Sequence, residues 1–274
     1  MSIGAAVKEG RLPGRVWMYS NYHCNLACTY CLTESAPAVA RRELSRTVMI
    51  EIGRQARELG FTDLGVTGGE TFLMLAMPEL LAELATILPV VALTNGTLFS
   101  RRLLARVEPL ASLPVALQIS LDHPDPETND AMRAPHNFRK VVTAIPELVQ
   151  RGITVRIATT AESIDETELE RLCTLHREWG VPDCDHIIRP IVRRGRAATH
   201  GLGVPVDQPD LPAELTITAE GAFWSPFAPT VRDGRLDTDL LITRTTRPLS
   251  VPAQTLLRLI QARPPGEDST LNIR

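Results

Sequence analysis

Residues 15–31, RVWMYSNYHCNLACTYC, decide the fold, because a run typical of a β-strand leads directly into three closely spaced cysteines. Residues 15–20 are rich in aromatic and β-branched side chains, which predicts a strand. Cys24, Cys28 and Cys31 stand in the loop that follows its carboxyl end. Barrels of alternating strands and helices carry their active sites in the loops at this end. We therefore expect the cysteine loop, residues 24–31, to carry the chemistry.

Downstream of this loop, β-rich runs alternate with amphipathic helical stretches, the pattern of a parallel sheet wrapped by helices. Strands are predicted at residues 15–20, 63–67, 90–94, 115–121, 154–160 and 186–193, and helices are predicted to begin near Ser45, Met77, Ser100, His136 and Ile164. These six units are fewer than the eight that close a full barrel. The predicted fold class is α/β, an open partial (β/α)6 barrel with a small C-terminal appendage.

The character of the chain changes near residue 198. We assign residues 1–14 to an N-terminal extension, 15–198 to the barrel and 199–274 to a linker plus a C-terminal cap. Residues 200–212 contain Pro and Gly without a clear period, as a connection does. A small hairpin is predicted at residues 214–218 and 222–224, and a last helix at 254–262, followed by a polar tail.

Composition excludes several classes of function. The 274 residues are 44% hydrophobic, enough for a buried core, and carry a formal charge of −3. No basic field attracts nucleic acid, although Arg193, Arg194 and Arg196 could hold an anion locally. No stretch approaches the roughly 20 apolar residues of a membrane span. We expect a soluble, cytoplasmic protein with neither a nucleic-acid nor a membrane partner.

The number and spacing of the cysteines indicate an iron–sulfur cluster. Five is an odd number and three of them are crowded together, unlike a secreted disulfide framework. Cys24, Cys28 and Cys31 supply three thiolates, so a [4Fe-4S] cube held by them keeps one iron open. An open iron indicates a binding site, as an open metal position does in catalytic zinc sites. Cys173 and Cys184 lie far downstream.

The cysteine loop is also compatible with two other interpretations. His23 with the three cysteines could form a Cys3His zinc site, although adjacent residues such as His23 and Cys24 are poor ligands for one ion. Buried, inert cysteines normally scatter along apolar faces instead of clustering. The alternative outside the enzyme class is a non-catalytic protein that binds zinc or senses iron or oxygen.

Residues 15–198 resemble the radical S-adenosylmethionine (radical SAM) superfamily. The motif CNLACTYC, with the aromatic Tyr30 before its last cysteine, is similar to the cluster loop of that family. Further matching motifs follow the next predicted strands in order. They are Gly68-Gly69-Glu70, Thr94-Asn95-Gly96, Ser120-Leu121-Asp122, Arg133, and PIVRRGRA at residues 190–197.

The resemblance implies a [4Fe-4S] cluster and SAM as cofactors, with a flavodoxin- or ferredoxin-type electron donor. The reduced cluster would cleave SAM to a 5'-deoxyadenosyl radical that removes a hydrogen atom from the substrate. By the same resemblance, specific residues would contact SAM. Gly68, Gly69 and Glu70 would meet its amino group, Ser120 and Asp122 its ribose and Arg133 its carboxylate, with Tyr30 and Asn95 also at the cofactor.

The C-terminal part resembles a degenerate SPASM or twitch extension, in which further cysteines bind auxiliary clusters. Residues 213–236 are similar to the hairpin of such an extension, but no cysteine follows Cys184. We therefore expect one cluster only. Phe223, Trp224 and Phe227 are expected to form a small hydrophobic core or to cover the substrate.

With a single cluster and no electron acceptor, epimerisation, rearrangement or elimination is favoured over net oxidation. Cys184 and Tyr19 are candidate hydrogen donors, with Cys173 and Tyr22 as further options. The short N-terminal extension leaves no room for a leader-peptide recognition domain, so we expect a small metabolite such as a sugar, nucleoside or antibiotic precursor in natural-product biosynthesis. Modification of a ribosomally made peptide is the main alternative.

Overall fold

The computed structural model describes residues 1–232 and 234–263. A nine-stranded sheet in the order β11-β8-β7-β1-β2-β3-β4-β5-β6 forms its centre, beside a separate pair β10-β9. The strands are β1 (Arg15–Tyr19), β2 (Asp63–Thr67), β3 (Val90–Thr94), β4 (Val115–Ser120), β5 (Thr154–Ala161), β6 (His186–Pro190), β7 (Thr216–Ile217), β8 (Ala222–Phe223), β9 (Val231–Arg232), β10 (Arg235–Leu236) and β11 (Leu241–Thr243).

Helices separate the strands along the chain. They are α1 (Ile3–Lys8), α2 (Arg46–Leu59), α3 (Met77–Ala85), α4 (Arg101–Val107), α5 (Pro126–Met132), α6 (Asn137–Gln150), α7 (Glu166–Glu178), α8 (Arg196–Thr199) and α9 (Ser250–Gln261). No helix in the described part of the chain combines the length and the apolar character that a membrane crossing requires.

The six predicted barrel strands are present, and β1 to β6 are parallel neighbours in sequence order. This confirms the expected α/β partial barrel. Strand β6 ends at Pro190, three residues earlier than predicted. The chain turns away from β5 there, because Val192 pairs with Val204. The predicted strand therefore included residues that already belong to the loop after β6.

The C-terminal part continues the main sheet. Strand β7 pairs in parallel with β1, and β8 returns antiparallel to β7 as the predicted hairpin. Helix α9 begins earlier than expected, at Ser250. The predicted polar tail at residues 264–274 lies outside the described residues. Because β7 uses the free edge of β1, the hairpin extends the barrel sheet on the side opposite β6.

Helix α2 illustrates why the local sequence folds as it does. The Ser45 hydroxyl accepts a hydrogen bond from Val48 N and begins the helix, and Gly60 ends it in the left-handed conformation at φ 91°. Its apolar face, including Met49 and Ile52, is buried in the main hydrophobic core. Helix α5 was not predicted, because its sequence PETNDAM lacks an apolar stripe.

Two histidines pack against each other between α7 and β6, away from the cysteine loop. The rings of His176 and His186 meet edge to face with centroids 4.4 Å apart. Both ring nitrogens of His176 are buried and have no hydrogen-bond partner among the described residues. Burial, followed by the charge of His186, lowers the pKa of His176 to about 3.

This burial makes the stability of the fold dependent on pH. The folded state keeps His176 neutral, whereas an unfolded histidine takes up a proton below about pH 6.5. The unfolded state therefore gains stability as the pH falls, by up to about 1.4 kcal/mol per unit. Lowering the pH from about 6.5 to 4.5 should reduce the free energy of unfolding of both proteins, measured in urea titrations. We expect this reduction to be about 2 kcal/mol smaller in His176→Phe than in the wild type. The exposed His200 provides a control. The explanation is contradicted if His200→Phe shows the same reduced sensitivity to pH, or if His176→Phe shows the same sensitivity as the wild type.

Candidate active site

A cavity opens at the carboxyl ends of the barrel strands and continues into the barrel. Cys24, Cys28 and Cys31 line it together. Residues from the ends of β2, β3 and β4 line the same space, namely Gly68, Gly69, Asn95 and Ser120, with Arg133 from the end of α5. The fold thus brings most of the residues that the sequence singled out into one cavity.

Two backbone hydrogen bonds shape the cysteine loop. Cys31 N donates to the carbonyl oxygen of Cys28 at 3.2 Å, and Thr29 N donates to that of Met132 at 2.9 Å. The second bond ties the loop to the end of α5. Polar groups also approach the sulfur atoms: Leu26 N lies 3.3 Å from Cys24 Sγ, and Asn95 Nδ2 lies 3.7 Å from the same atom.

The surroundings of the thiols disfavour bare thiolates. Burial raises the pKa of Cys24 to about 12 and that of Cys28 to about 11. A bound metal centre supplies the positive charge that stabilises the deprotonated sulfur. These cysteines are therefore expected to be deprotonated only when a metal group binds their sulfur atoms.

The geometry favours a multi-metal group over a single zinc ion. Within residues 1–232 and 234–263, no three His, Cys, Asp or Glu side chains stand close enough to bind one ion together. His23 Nδ1 lies 3.2 Å from the carbonyl oxygen of Val39, and His23 is not part of the cavity wall. Three thiols that line one cavity are the donor set of a cube, in which each thiolate binds a different iron.

Gly68 and Gly69 allow the end of β2 to contact the backbone that precedes the cysteines. A Cβ atom on Gly68 would lie 2.4 Å from the carbonyl oxygen of Asn21, and one on Gly69 would lie 2.2 Å from that of His23. The φ of Gly68 is 148°. Gly69 N donates to Asn21 O at 2.8 Å, which fixes this close approach. Only residues without a side chain fit at these two positions.

Glu70 lies behind the cavity wall and is completely buried. Its Oε1 accepts hydrogen bonds from Phe72 N at 2.9 Å and Thr94 Oγ1 at 2.7 Å, and its Oε2 accepts one from Asn95 N at 2.8 Å. Burial raises the pKa of the carboxyl, while these donors oppose the shift. Glu70 thus joins the ends of β2 and β3, and its predicted contact with SAM stays a prediction.

Tyr30, Asp122 and Arg133 form a buried network. Asp122 Oδ2 accepts hydrogen bonds from Tyr30 Oη and, at 2.8 Å, from Arg133 Nη1. Tyr30 and Arg133 line the cavity, whereas Asp122 lies behind them. Arg133 Nε is buried and has no hydrogen-bond partner in the described part of the chain. Such an orphaned cationic donor in a cavity wall fits a carboxylate ligand.

The candidate hydrogen donors lie in different places. Tyr19 lines the cavity and donates to Pro226 O at 2.6 Å, and burial raises its pKa well above the usual value. Tyr22 is buried outside the cavity wall. Cys173 Sγ lies 3.8 Å from His186 Nδ1. Cys184 is exposed and precedes β6, so the structure does not bring it to the cavity.

The aromatic residues of the C-terminal part have separate locations. Phe223 and Trp224 are buried in the main hydrophobic core, whereas the sequence interpretation expected a separate small core or a cover over the substrate. Phe227 lines the cavity, where the Arg189 guanidinium lies 5.9 Å from the centre of its ring.

Sequence reasoning missed the charged inner end of the cavity. Trp17, Arg189 and Glu214 line it, and Trp17 Nε1 donates to a carboxylate oxygen of Glu214. Burial raises the pKa of Glu214 and lowers that of Arg189 to about 10. The alternation of Arg15, Trp17 and Tyr19 along β1 was an available signal, because residues two apart share a face of a strand.

Comparison with known proteins agrees with this geometry. The profile of the Radical SAM superfamily matches residues 18–172. GTP 3',8-cyclase of Chlorobaculum tepidum is 33% identical over 165 residues, covering 57% of this chain and 47% of that protein. Mycofactocin maturase MftC of Mycolicibacterium smegmatis is 30% identical over 164 residues, covering 58% and 40%. The chain thus spans less than half the length of these curated relatives.

The solved structure of native anSMEcpe with bound AdoMet shares the fold, with a TM-score of 0.61 and 14% identity over 90% of this chain and 83% of that one. The profile match covers more than half of the chain, so the protein belongs to the radical SAM superfamily. Members of this family use a [4Fe-4S] cluster and SAM, as the sequence led us to expect.

The Asp122–Arg133 pair yields a test of the site's construction. The two side chains are 0% and 5% exposed, so removal of the carboxylate leaves a buried guanidinium without its ion-pair partner. We expect Asp122→Ala to lower the free energy of unfolding of the metal-free chain by about 3 kcal/mol in urea. Glu170→Ala breaks the exposed pair with Arg177 and should cost less than about 1 kcal/mol. Equal losses in the two variants would refute the structural role of the pair.

Proposed function

We propose that this protein is a radical SAM enzyme with one [4Fe-4S] cluster, bound by Cys24, Cys28 and Cys31. The supporting observation is that three thiols line one cavity together with Arg133, whose Nε is buried and unpartnered in the described part of the chain. The thiols leave one side of the site to another ligand. A donor set with one open position is what SAM binding at a cluster requires.

When bound, the cluster and SAM supply a 5'-deoxyadenosyl radical that abstracts a hydrogen atom from the substrate. The chain's own residues bind and orient the cofactor and the substrate and shield them from water. In this proposal Arg133 receives the SAM carboxylate while Asp122 fixes the guanidinium from behind. Gly68, Gly69, Asn95, Ser120 and Tyr30 form the adjacent walls. Glu70 holds the ends of β2 and β3 in position for these contacts.

The substrate occupies the inner end of the cavity in this proposal. Arg189 and Glu214 provide opposite charges there, and Trp17 and Phe227 provide apolar faces. Such a mixture of a few polar groups and aromatic walls is typical of a small-molecule site. We therefore propose a polar small metabolite, such as a natural-product intermediate, which undergoes epimerisation, rearrangement or elimination. Tyr19 is the hydrogen-donor candidate that faces this space.

A peptide is the second candidate substrate. One relative is named a maturase, and anSMEcpe, which shares the fold, has also been solved with a bound Cp18Cys peptide at a TM-score of 0.58. The cavity is open at its mouth, so the end of an extended peptide could enter it. An external flavodoxin- or ferredoxin-type protein is the proposed electron donor in either case.

Anaerobic reconstitution tests the cluster assignment. The wild-type chain should take up about four iron and four sulfide and cleave SAM to 5'-deoxyadenosine under reductant. Cys24→Ala, Cys28→Ala and Cys31→Ala should each reduce the rate of SAM cleavage by at least about 100-fold, because each removes a cluster ligand. Cys173→Ala and Cys184→Ala serve as matched controls and should retain iron content and cleavage. Stoichiometric zinc without SAM cleavage in the wild type would contradict the proposed function.

Isotope transfer separates the two substrate classes. Extracts of deuterium-labelled source cells are divided into a low-molecular-mass fraction and a peptide fraction, and each is incubated with the reconstituted enzyme and SAM. We expect deuterium in 5'-deoxyadenosine, measured by mass spectrometry, with the low-molecular-mass fraction. Deuterium transfer from the peptide fraction alone would favour the second candidate. Glu214→Gln should lower the transfer about 10-fold while substrate-free SAM cleavage is kept, because it removes a charged hydrogen-bond partner at the inner end.

A further inference from the structure

The turn after β6 packs directly against the cysteine loop from the far side of the barrel. Gly195 has a φ of 54°, and a Cβ atom there would lie 2.2 Å from the carbonyl oxygen of Leu32 and 2.8 Å from that of Cys31. Only a residue without a side chain permits this approach. Gly195 is buried, so the contact excludes solvent from this side of the loop.

Arg196 uses the close approach to bind the loop at three points. Its backbone N–H donates to the carbonyl oxygen of Cys31 at 3.0 Å. Its Nη1 donates to the carbonyl oxygen of Cys28, and its Nη2 donates to that of Ser35 at 2.9 Å. The guanidinium therefore connects Cys28, which precedes Cys31 in the chain, with Ser35, which follows it. Each accepting carbonyl lies in or next to the cysteine loop.

The C-terminal part holds the same segment from another side. Thr230 Oγ1 donates to Leu32 O at 2.7 Å, and Val231 N donates to Thr33 O at 3.2 Å. Thr33 Oγ1 in turn lies 3.2 Å from Cys31 Sγ. The segment after Cys31 has no helix or strand of its own, so its backbone groups depend on these external partners.

We infer that Arg196 is a positioning residue for the cluster, one whose guanidinium holds the carbonyls of Cys28 and Ser35 so that Cys28 and Cys31 present their thiolates with fixed separation and direction. This role rests on the proposed function, in which these cysteines bind the cluster. A planar fork that reaches two carbonyls at once is a property of arginine, whereas the ammonium of lysine is a point charge. Groups that orient ligands from behind affect metal affinity about 10- to 100-fold.

The test uses Arg196→Lys and Arg196→Gln, with Arg193→Gln as the matched control. Arg193 belongs to the same turn but donates to Gly203 O, away from the cysteines. After anaerobic reconstitution of the full chain, a competing iron chelator is added, and the loss of cluster absorbance is followed. We expect both Arg196 variants to lose the cluster about 10-fold faster than the wild type and Arg193→Gln to match the wild type.

Two further readouts separate positioning from general destabilisation. The metal-free Arg196 variants should exchange amide hydrogens faster in the peptide that covers residues 28–35, with α2 unchanged as an internal reference. The electron paramagnetic resonance spectrum of the reduced cluster should change in both variants. The reduction potential should fall in Arg196→Gln only, because lysine keeps the nearby positive charge.

The outcomes distinguish this role from the proposed function itself. Wild-type cluster lifetime and loop exchange in Arg196→Lys and Arg196→Gln would overturn the positioning role and leave the enzyme assignment intact. Equal losses in Arg193→Gln would overturn it as well, since the effect would then belong to the turn as a whole. A wild-type chain that takes up no iron would refute the proposed function, and the role of Arg196 with it.

Discussion

The site depends on one constraint: the cysteine loop and the residues beside it lack regular secondary structure, so other elements must supply their hydrogen bonds. A buried carbonyl or amide without a partner is costly, and each contact that satisfies one also fixes the position of the loop. The glycines at the end of β2, the turn at Gly195 and the residues around Thr230 approach from three directions. Two of these contacts follow strands of the main sheet, β2 and β6, and the third comes from the start of the separate pair β9-β10.

Buried charge is the second organising feature. Glu70 and Asp122 are buried behind the cavity wall, and each is stabilised by several donors. Their acceptor capacity is largely used by the protein itself, and they fix the groups that do face the cavity. Arg133 is the clearest case, because Asp122 holds one end of the guanidinium while Nε lacks a partner in the described part of the chain. A buried carboxylate whose oxygens accept hydrogen bonds from the protein supports the neighbouring residues. It differs in function from the residues of the same motif that line the cavity.

Sequence patterns were reliable where a local cause acts. Ser45 and Gly60 bound α2 as capping chemistry predicts, and β2 and β3 have the predicted bounds because short apolar runs end at turn residues. They were less reliable where the partner is distant in sequence. Strand β6 ends early because Val192 pairs with Val204, and α5 forms although its sequence has no apolar stripe. The inner end of the cavity was missed because Trp17 and Glu214 meet only when β7 joins β1.

The sequence by itself determined the class of chemistry and the end of the sheet where it occurs, because cysteine spacing and strand order are properties of the chain read in one direction. Tertiary structure decided which residues face the cavity and which support it. Glu70 and Asp122 share motifs with cavity-lining neighbours but lie behind the wall, whereas Arg196 reaches the cysteine loop across 168 positions of sequence. The direction of a side chain and its distant partners follow from packing, and no local pattern encodes them.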